Sequence, residues 1–332
     1  MMQQITGNQT QIISQTLKRF PDGTELAIAL VNSEQTKYHG VRLTNNSIKT
    51  IANKDSYFEI GSITKLFTAT ILVNVLAKHG ISLDDEINPF LDVSVNNGEK
   101  LTFKSLANHT SGLPPEPESI EFDEKSENPF VYFKKQDFLN YLQNELTVNE
   151  DKIGKWSYSN IGMAILGYVL GLIEKKSFRE LVDFYVFSVY NMPTSTYNRN
   201  SINGVIIGGQ NSKGEPVLPW GFAEMDDPTG GVLANVQELS RFVLENFKND
   251  EYLRYTRQKT YSGEDYFDWA IGWGILKSNG YHLHSGGTRG HSSILMIDEK
   301  KSNGIVILSN VSCYHEETML IRDMGIQLLD SI

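Results

Sequence analysis

Strand-like patterns lie at the two ends of this chain and helical ones between them, which restricts the folds open to it. Near the N-terminus, ELAIALVN (residues 25–32) and TKYHGVRL (36–43) read as paired strands around a polar turn. Near the C-terminus, FDWAIGWGILKSNGYHLH carries a Ser-Asn-Gly turn, and SSILMIDEKKSNGIVILSN reads as a further hairpin. Short turns join antiparallel neighbours. The pattern therefore predicts an α/β (α+β) fold with one antiparallel sheet, built from both termini and flanked by helices, and an inserted, mainly helical domain. The expected division is 1–80 with 205–332 for the sheet domain and 81–204 for the helical one, with a cleft between them as the place for a site.

The helical signals are specific. Ile13, Leu17 and Phe20 recur at helical spacing before Pro21, and a long apolar helix is expected from about Ser62 to His79, with Gly80 ending it. LTFKSLANHTSGLPP reads as a helix that stops at Gly112 and Pro114. In NVQELSRFVLENF, Asn235 is the expected N-cap, with Glu238 completing a capping box and Val236, Leu239, Phe242 and Val243 facing inward. A closing amphipathic helix carries Leu320, Ile321, Met324 and Leu328.

The longest apolar run, IGMAILGYVLGLI at residues 161–173, is thirteen residues, short of the roughly 18 to 20 that a spanning helix needs, so it is expected to be a buried helix. The first twenty residues lack a basic start followed by an apolar block, so no secretory leader is read. That fits a cytoplasmic protein if Met1 is the natural start, and an extracytoplasmic one if a leader has been removed. A net charge of -10 with no basic stripe speaks against nucleic-acid binding. The lone Cys313 leaves neither an internal disulfide nor a cysteine-based zinc site. Residues 116–129 hold six acids against one lysine and read most simply as a solvated loop, with an anion-repelling rim over a cleft as the alternative.

Three short stretches carry reactive side chains. In EIGSITKLF, Ser62 and Lys65 are three apart, so on a helix they share a face and the amine can reach the hydroxyl. A serine is a weak nucleophile without a base, and a lysine becomes one when burial lowers its pKa. The apolar flanks Ile60, Leu66 and Phe67 permit this, although a plain helix start fits the same letters. In GKWSYSNIGMAIL, Tyr158 and Asn160 are two apart and point the same way in an extended segment, unless Asn160 is merely an N-cap. In YHLHSGGTRGHSS, His284 ends a strand and Gly286-Gly287 allow a ligand close to the backbone. There the rival readings are a metal site from His282, His284 and His291, with no carboxylate or cysteine pattern beside it, and a plain hairpin with surface histidines.

Taken in order, Ser-x-x-Lys, Tyr-x-Asn and a His-x-Gly strand resemble the penicillin-binding and serine β-lactamase superfamily. The tyrosine points to the branch with class C β-lactamases, D-Ala-D-Ala carboxypeptidases and related esterases. DPTGGVLANVQELSRF, IGWGI and HSGGTRGHSSILMID look like the same family, and the similarity runs from about residue 20 to the C-terminus. The resemblance implies a serine hydrolase that forms an acyl-enzyme on β-lactams, D-Ala-D-Ala peptides or small esters, with a β-lactam-binding sensor that acylates without turnover as the alternative. It implies Ser62 as nucleophile, Lys65 as its proton partner, Tyr158 as proton shuttle and Asn160 as the residue orienting the substrate amide and Lys65. The Ser62 and Gly287 N–H groups would form the oxyanion hole. Neither cofactor nor metal is implied, and the partner is a small-molecule or peptide substrate. His284-Ser285-Gly286 stands where class C β-lactamases carry Lys-Thr-Gly, which weakens the expectation of strong β-lactamase activity. Ser285 and Arg289 remain as candidate anchors for a substrate carboxylate.

Overall fold

The computed structural model describes residues 5–95, 100–117 and 134–332. In chain order the helices are α1 (Gly7–Leu17), α2 (Thr64–His79), α3 (Phe103–Ala107), α4 (Lys135–Asn140), α5 (Asn160–Glu174), α6 (Phe178–Val182), α7 (Val236–Glu245), α8 (Glu251–Thr256) and α9 (Met319–Asp330). The strands are β1 (Glu25–Val31), β2 (Thr36–Thr44), β3 (Ser47–Ile51), β4 (Phe58–Glu59), β5 (Leu233–Ala234), β6 (Phe267–Trp269), β7 (Gly274–Leu276), β8 (His282–Gly287), β9 (Ser292–Asp298) and β10 (Asn303–Ser309).

The main sheet has the order β3-β2-β1-β10-β9-β8-β7-β6, and every neighbouring pair is antiparallel. The junction of β1 with β10, from Leu26 opposite Ser309 to Val31 opposite Gly304, joins the two ends of the chain, so the expected sheet from both termini is the one found. The central strands β9 and β10 are buried at every residue, and β1 at all but its first. Helices cover both faces, which is why these strands read as near-continuous apolar runs. Helices α1 and α9 pack over one face with Ile13, Leu17, Met324 and Leu328. On the other face, α2 and α7 join β1 and β10 to the helical region around α5.

Helix α2 is buried on all sides from Thr64 to Val73, so it serves as the shared pillar of sheet and helical region. Its Phe67 ring meets Phe242 and Phe187 edge-on at centroid distances of 5.2 and 5.9 Å, contacts that add about 0.5–1.5 kcal/mol each beyond burial. The helix ends where expected, at Gly80 with φ 65°. It starts later than expected: Gly61–Ile63 form a 3₁₀ turn, and the α-helix begins at Thr64.

Other expectations are corrected. The helix read in LTFKSLANHTSGLPP ends at Ala107, because His109 takes a left-handed φ of 60°. Asn235 does cap α7, accepting from Glu238 N at 2.9 Å, but the capping box is only half made. The Glu238 carboxylate instead takes hydrogen bonds from Thr194 and Ser195. The cap of α5 is Ser159, with Asn160 as the first helical residue. Strand β3 was not anticipated. Of the acidic stretch 116–129, residues 118–129 lie outside the described residues; Glu116 is described and belongs to the site below. No helix among the described residues is long and apolar enough to cross a membrane.

Candidate active site

Ser62 sits on the 3₁₀ turn that opens α2. Residues i and i+3 eclipse in such a turn, which brings Lys65 directly over the hydroxyl. The Lys65 Nζ lies 3.0 Å from Ser62 Oγ and donates to the Thr229 carbonyl at 2.7 Å. The Tyr158 hydroxyl reaches the same Ser62 Oγ at 2.8 Å from a segment ninety-six residues away. Sequence reasoning named these three, and the fold brings them together.

Two glycines seat the turn against β8. Gly61 has φ 51°, and a Cβ there would meet Gly287 N at 2.6 Å; a Cβ on Gly286 would stand 1.9 Å from the Ile60 carbonyl. The backbone of Gly287 thus lies beside Ser62, where an oxyanion hole would need it.

Residues 109–116 form the floor under the Tyr158 segment. His109 O accepts from Ser157 N at 2.8 Å, and His109 Nδ1 accepts from Ser159 N at 3.2 Å. Pro114 O takes the Ser159 hydroxyl at 2.6 Å, and Pro115 O takes Asn160 N at 2.8 Å. The His109 ring lies 4.7 Å from that of Tyr158. Asn160 Nδ2 donates to the Glu116 carboxylate, and Asn160 Oδ1 is buried without a hydrogen-bond partner.

The electrostatics follow from burial. Lys65 is wholly buried, and loss of water drives it down to about 7, with the Glu116 carboxylate pulling the other way. Burial pushes Glu116 up to about 7, partly offset by the Asn160 hydrogen bond and by Lys65. Burial also raises Asp226, which feels Glu116, to about 9. Tyr158 is raised as well, first by burial, so its phenol stays protonated. Burial and the neighbouring Lys65 push His284 down to about 3, although its ring nitrogen sits 2.7 Å from the Ser285 carbonyl. It is a neutral residue at pH 7 and supplies no charge.

The remaining candidates divide. Ser285 is exposed and lines the cavity beside Ser62, whereas Arg289 does not line it and its buried Nε has no hydrogen-bond partner. Arg322 on α9 is the arginine that reaches that cavity. The three histidines of the metal reading are dispersed: His282 Nε2 faces Arg257 O and His291 Nε2 faces Ile207 O, each at 3.1 Å. Among the described residues no group of His, Cys, Asp and Glu is placed to hold a metal ion. Sequence reasoning missed Glu116, the Thr229 carbonyl and Arg322. No local signal pointed to Glu116, which stands more than forty residues before Tyr158 among acidic neighbours that hid it.

The β-lactamase family profile matches residues 13–320. Protein flp of Staphylococcus aureus (strain MW2) is 24% identical over 295 residues, covering 83% of this chain and 57% of that protein, so the chain spans little more than half of that relative's length. Penicillin-binding protein 4* of Bacillus subtilis is 25% identical over 340 residues, covering 93% of this chain and 73% of that protein. A β-lactamase/D-alanine carboxypeptidase from Yersinia pestis superposes with a TM-score of 0.77 at 18% identity, over 97% of this chain and 98% of the other. A class C β-lactamase from Rhodobacter sphaeroides gives 0.77 at 16% identity, over 98% and 99%. At such identities the structures share the fold. With the profile spanning nearly the whole chain, the chain belongs to the β-lactamase family, within the superfamily of serine β-lactamases and penicillin-binding proteins.

Proposed function

We propose that the protein is a serine hydrolase that works through an acyl-enzyme on Ser62. The observation that carries this reading is the Ser62 hydroxyl held between a wholly buried Lys65 amine at 3.0 Å and the Tyr158 phenol at 2.8 Å. With its pKa near 7, Lys65 is in part a free amine at neutral pH and takes the Ser62 proton as Oγ attacks the scissile carbonyl. Tyr158, held protonated, is the donor to the leaving group and is recharged from Lys65. The Ser62 and Gly287 N–H groups face the developing oxyanion. Water then releases the acyl group, with Tyr158 and Lys65 running the proton transfers in reverse. Asn160, held through its Nδ2 by Glu116, is the residue proposed to orient the substrate amide and Lys65.

The substrates proposed are amides or esters of the D-Ala-D-Ala peptide, β-lactam or small-ester kind. A neutral His284 stands where class C β-lactamases carry a charged lysine, which puts peptidase or esterase work ahead of a specialised β-lactamase. A fluorescent penicillin or a fluorophosphonate is expected to label the protein, and Ser62→Ala to abolish the label. Persistent labelling of that variant would reject Ser62 as nucleophile. A burst followed by no further release would reassign the protein as a binding module.

A further inference from the structure

The nucleophile opens onto a cavity of about 410 Å³, whose wall away from Ser62, Tyr158 and Gly287 the reaction outlined above leaves unused. Trp156, Phe267, Trp269, Leu283, Met319 and Ile321 line it, beside Ser62 and the β8 backbone. The Trp156 and Trp269 rings stack at 4.1 Å and 11°, and Phe267 lies 5.5 Å from Trp269, so three rings form a continuous apolar wall. Met319, on the first turn of α9, is 52% exposed. Several of the polar side chains around the cavity already have partners, while Ser285 stays exposed. Ser292 pairs with Thr318 at 2.9 Å, Ser293 donates to Ile60 O at 2.9 Å, and Arg322 donates to Asp323. Aromatic surface left open to water beside a nucleophile, with several of its polar neighbours already bonded, favours an apolar ligand group.

We infer that the site selects substrates bearing an alkyl or aryl group on one side of the scissile carbonyl, seated on the Trp156–Trp269 wall: a lipophilic ester or amide rather than a small polar one. This rests on the serine-hydrolase reading and narrows it. The full chain is labelled with a fluorophosphonate, and kcat/KM is measured along two ester series. One is p-nitrophenyl esters from acetyl to octanoyl; the other is acetates of alcohols from ethanol to octanol, followed by acid release. In one series kcat/KM is expected to climb about fourfold per methylene, and that series identifies the side of the carbonyl the cavity receives. The climb is expected to flatten in Trp269→Ala and in Met319→Glu, the latter on an exposed helix turn where folding is not at stake. Flat profiles in both series with Ser62 labelled would overturn the inference and leave the hydrolase reading standing. An equal climb in wild type and both variants would overturn it too. Loss of all labelling and hydrolysis in the wild type would remove the hydrolase reading, and the inference with it.

Discussion

Helix α2 carries a lysine near each end, and the two meet opposite fates. Lys65 is wholly buried, its amine driven down to about 7. Lys78, in the last turn, is exposed and donates to both Glu174 oxygens at 2.9 and 2.7 Å, and that hydrogen bonding raises it above its ordinary range. The acids differ in the same way. Burial pushes Glu116 up to about 7, and Asn160 and Lys65 pull it only part of the way back. Glu174 is also pushed up by its surroundings, but the hydrogen bonds from Lys78 and His79 outweigh this and hold it below the usual carboxylate range. The same two residue types form an ordinary ion pair where the lysine stays in water, and a readily neutralised pair where both groups lose it, because desolvation there exceeds the Coulombic gain.

The contrast is sharpest in substitutions of the two lysines. Lys65→Met is expected to lower kcat/KM by about 10²- to 10⁴-fold, measured by steady-state kinetics. It is also expected to raise the melting temperature. The folded-state pKa of Lys65 lies below its unfolded value, so between about 7 and the ordinary lysine range the unfolded chain binds the extra proton, and wild-type stability rises with pH through that window. At neutral pH the buried amine therefore opposes folding, and methionine relieves it. Lys78→Met should do neither. A lower melting temperature for Lys65→Met would break the comparison.

A smaller effect tests the partner acid. Protonated Lys65 cannot accept the Ser62 proton, so kcat/KM is expected to fall as pH drops through about 7. The Glu116 carboxylate raises Lys65, while His109, His284 and Tyr158 are neutral neighbours there, and Asp226, raised by burial and by Glu116 to about 9, is neutral as well. Glu116→Gln removes the negative charge and keeps an oxygen for Asn160, so the acid limb should move to lower pH. A limb that stays put, or moves upward, would mean that Glu116 does not act on Lys65. The smallest change is expected at the other end: Glu174→Gln should leave the pH profile of kcat/KM untouched and lower the melting temperature only slightly. A shifted profile there would show that the two ends are not independent.

The residue types that carry reactivity were legible because spacing is local. Ser62 and Lys65 three apart, Tyr158 and Asn160 two apart, and glycines after His284 each state a geometric possibility within one turn or one strand. The sheet was legible for the same reason, since hairpins and apolar runs such as ELAIALV announce themselves. Glu116 was not. It sits among acids that read as a solvated loop, and only the strap of Pro114 and Pro115 carbonyls onto Ser159 and Asn160 brings it to Asn160 and within electrostatic reach of Lys65. The premature end of α3 was equally hidden, because His109 adopts a left-handed conformation for the sake of the Tyr158 segment packed on it. Glu238 reads as a capping-box acid and serves Thr194 and Ser195 instead, partners that chain order does not disclose.

By itself, the amino-acid order determined which groups are available and which of them share a face: a serine beneath a lysine, a phenol beside a carboxamide, two glycines after His284 that let a ligand approach the backbone. Only the folded chain decided that Lys65 and Glu116 lose their water, that His284 stays neutral, that Arg322 rather than Arg289 borders the cavity, and that two tryptophans 113 positions apart stack beside the nucleophile. A side chain's charge state and its ligand depend on which distant atoms replace solvent around it, and that replacement happens only when the segments from both ends of the chain and its middle pack together.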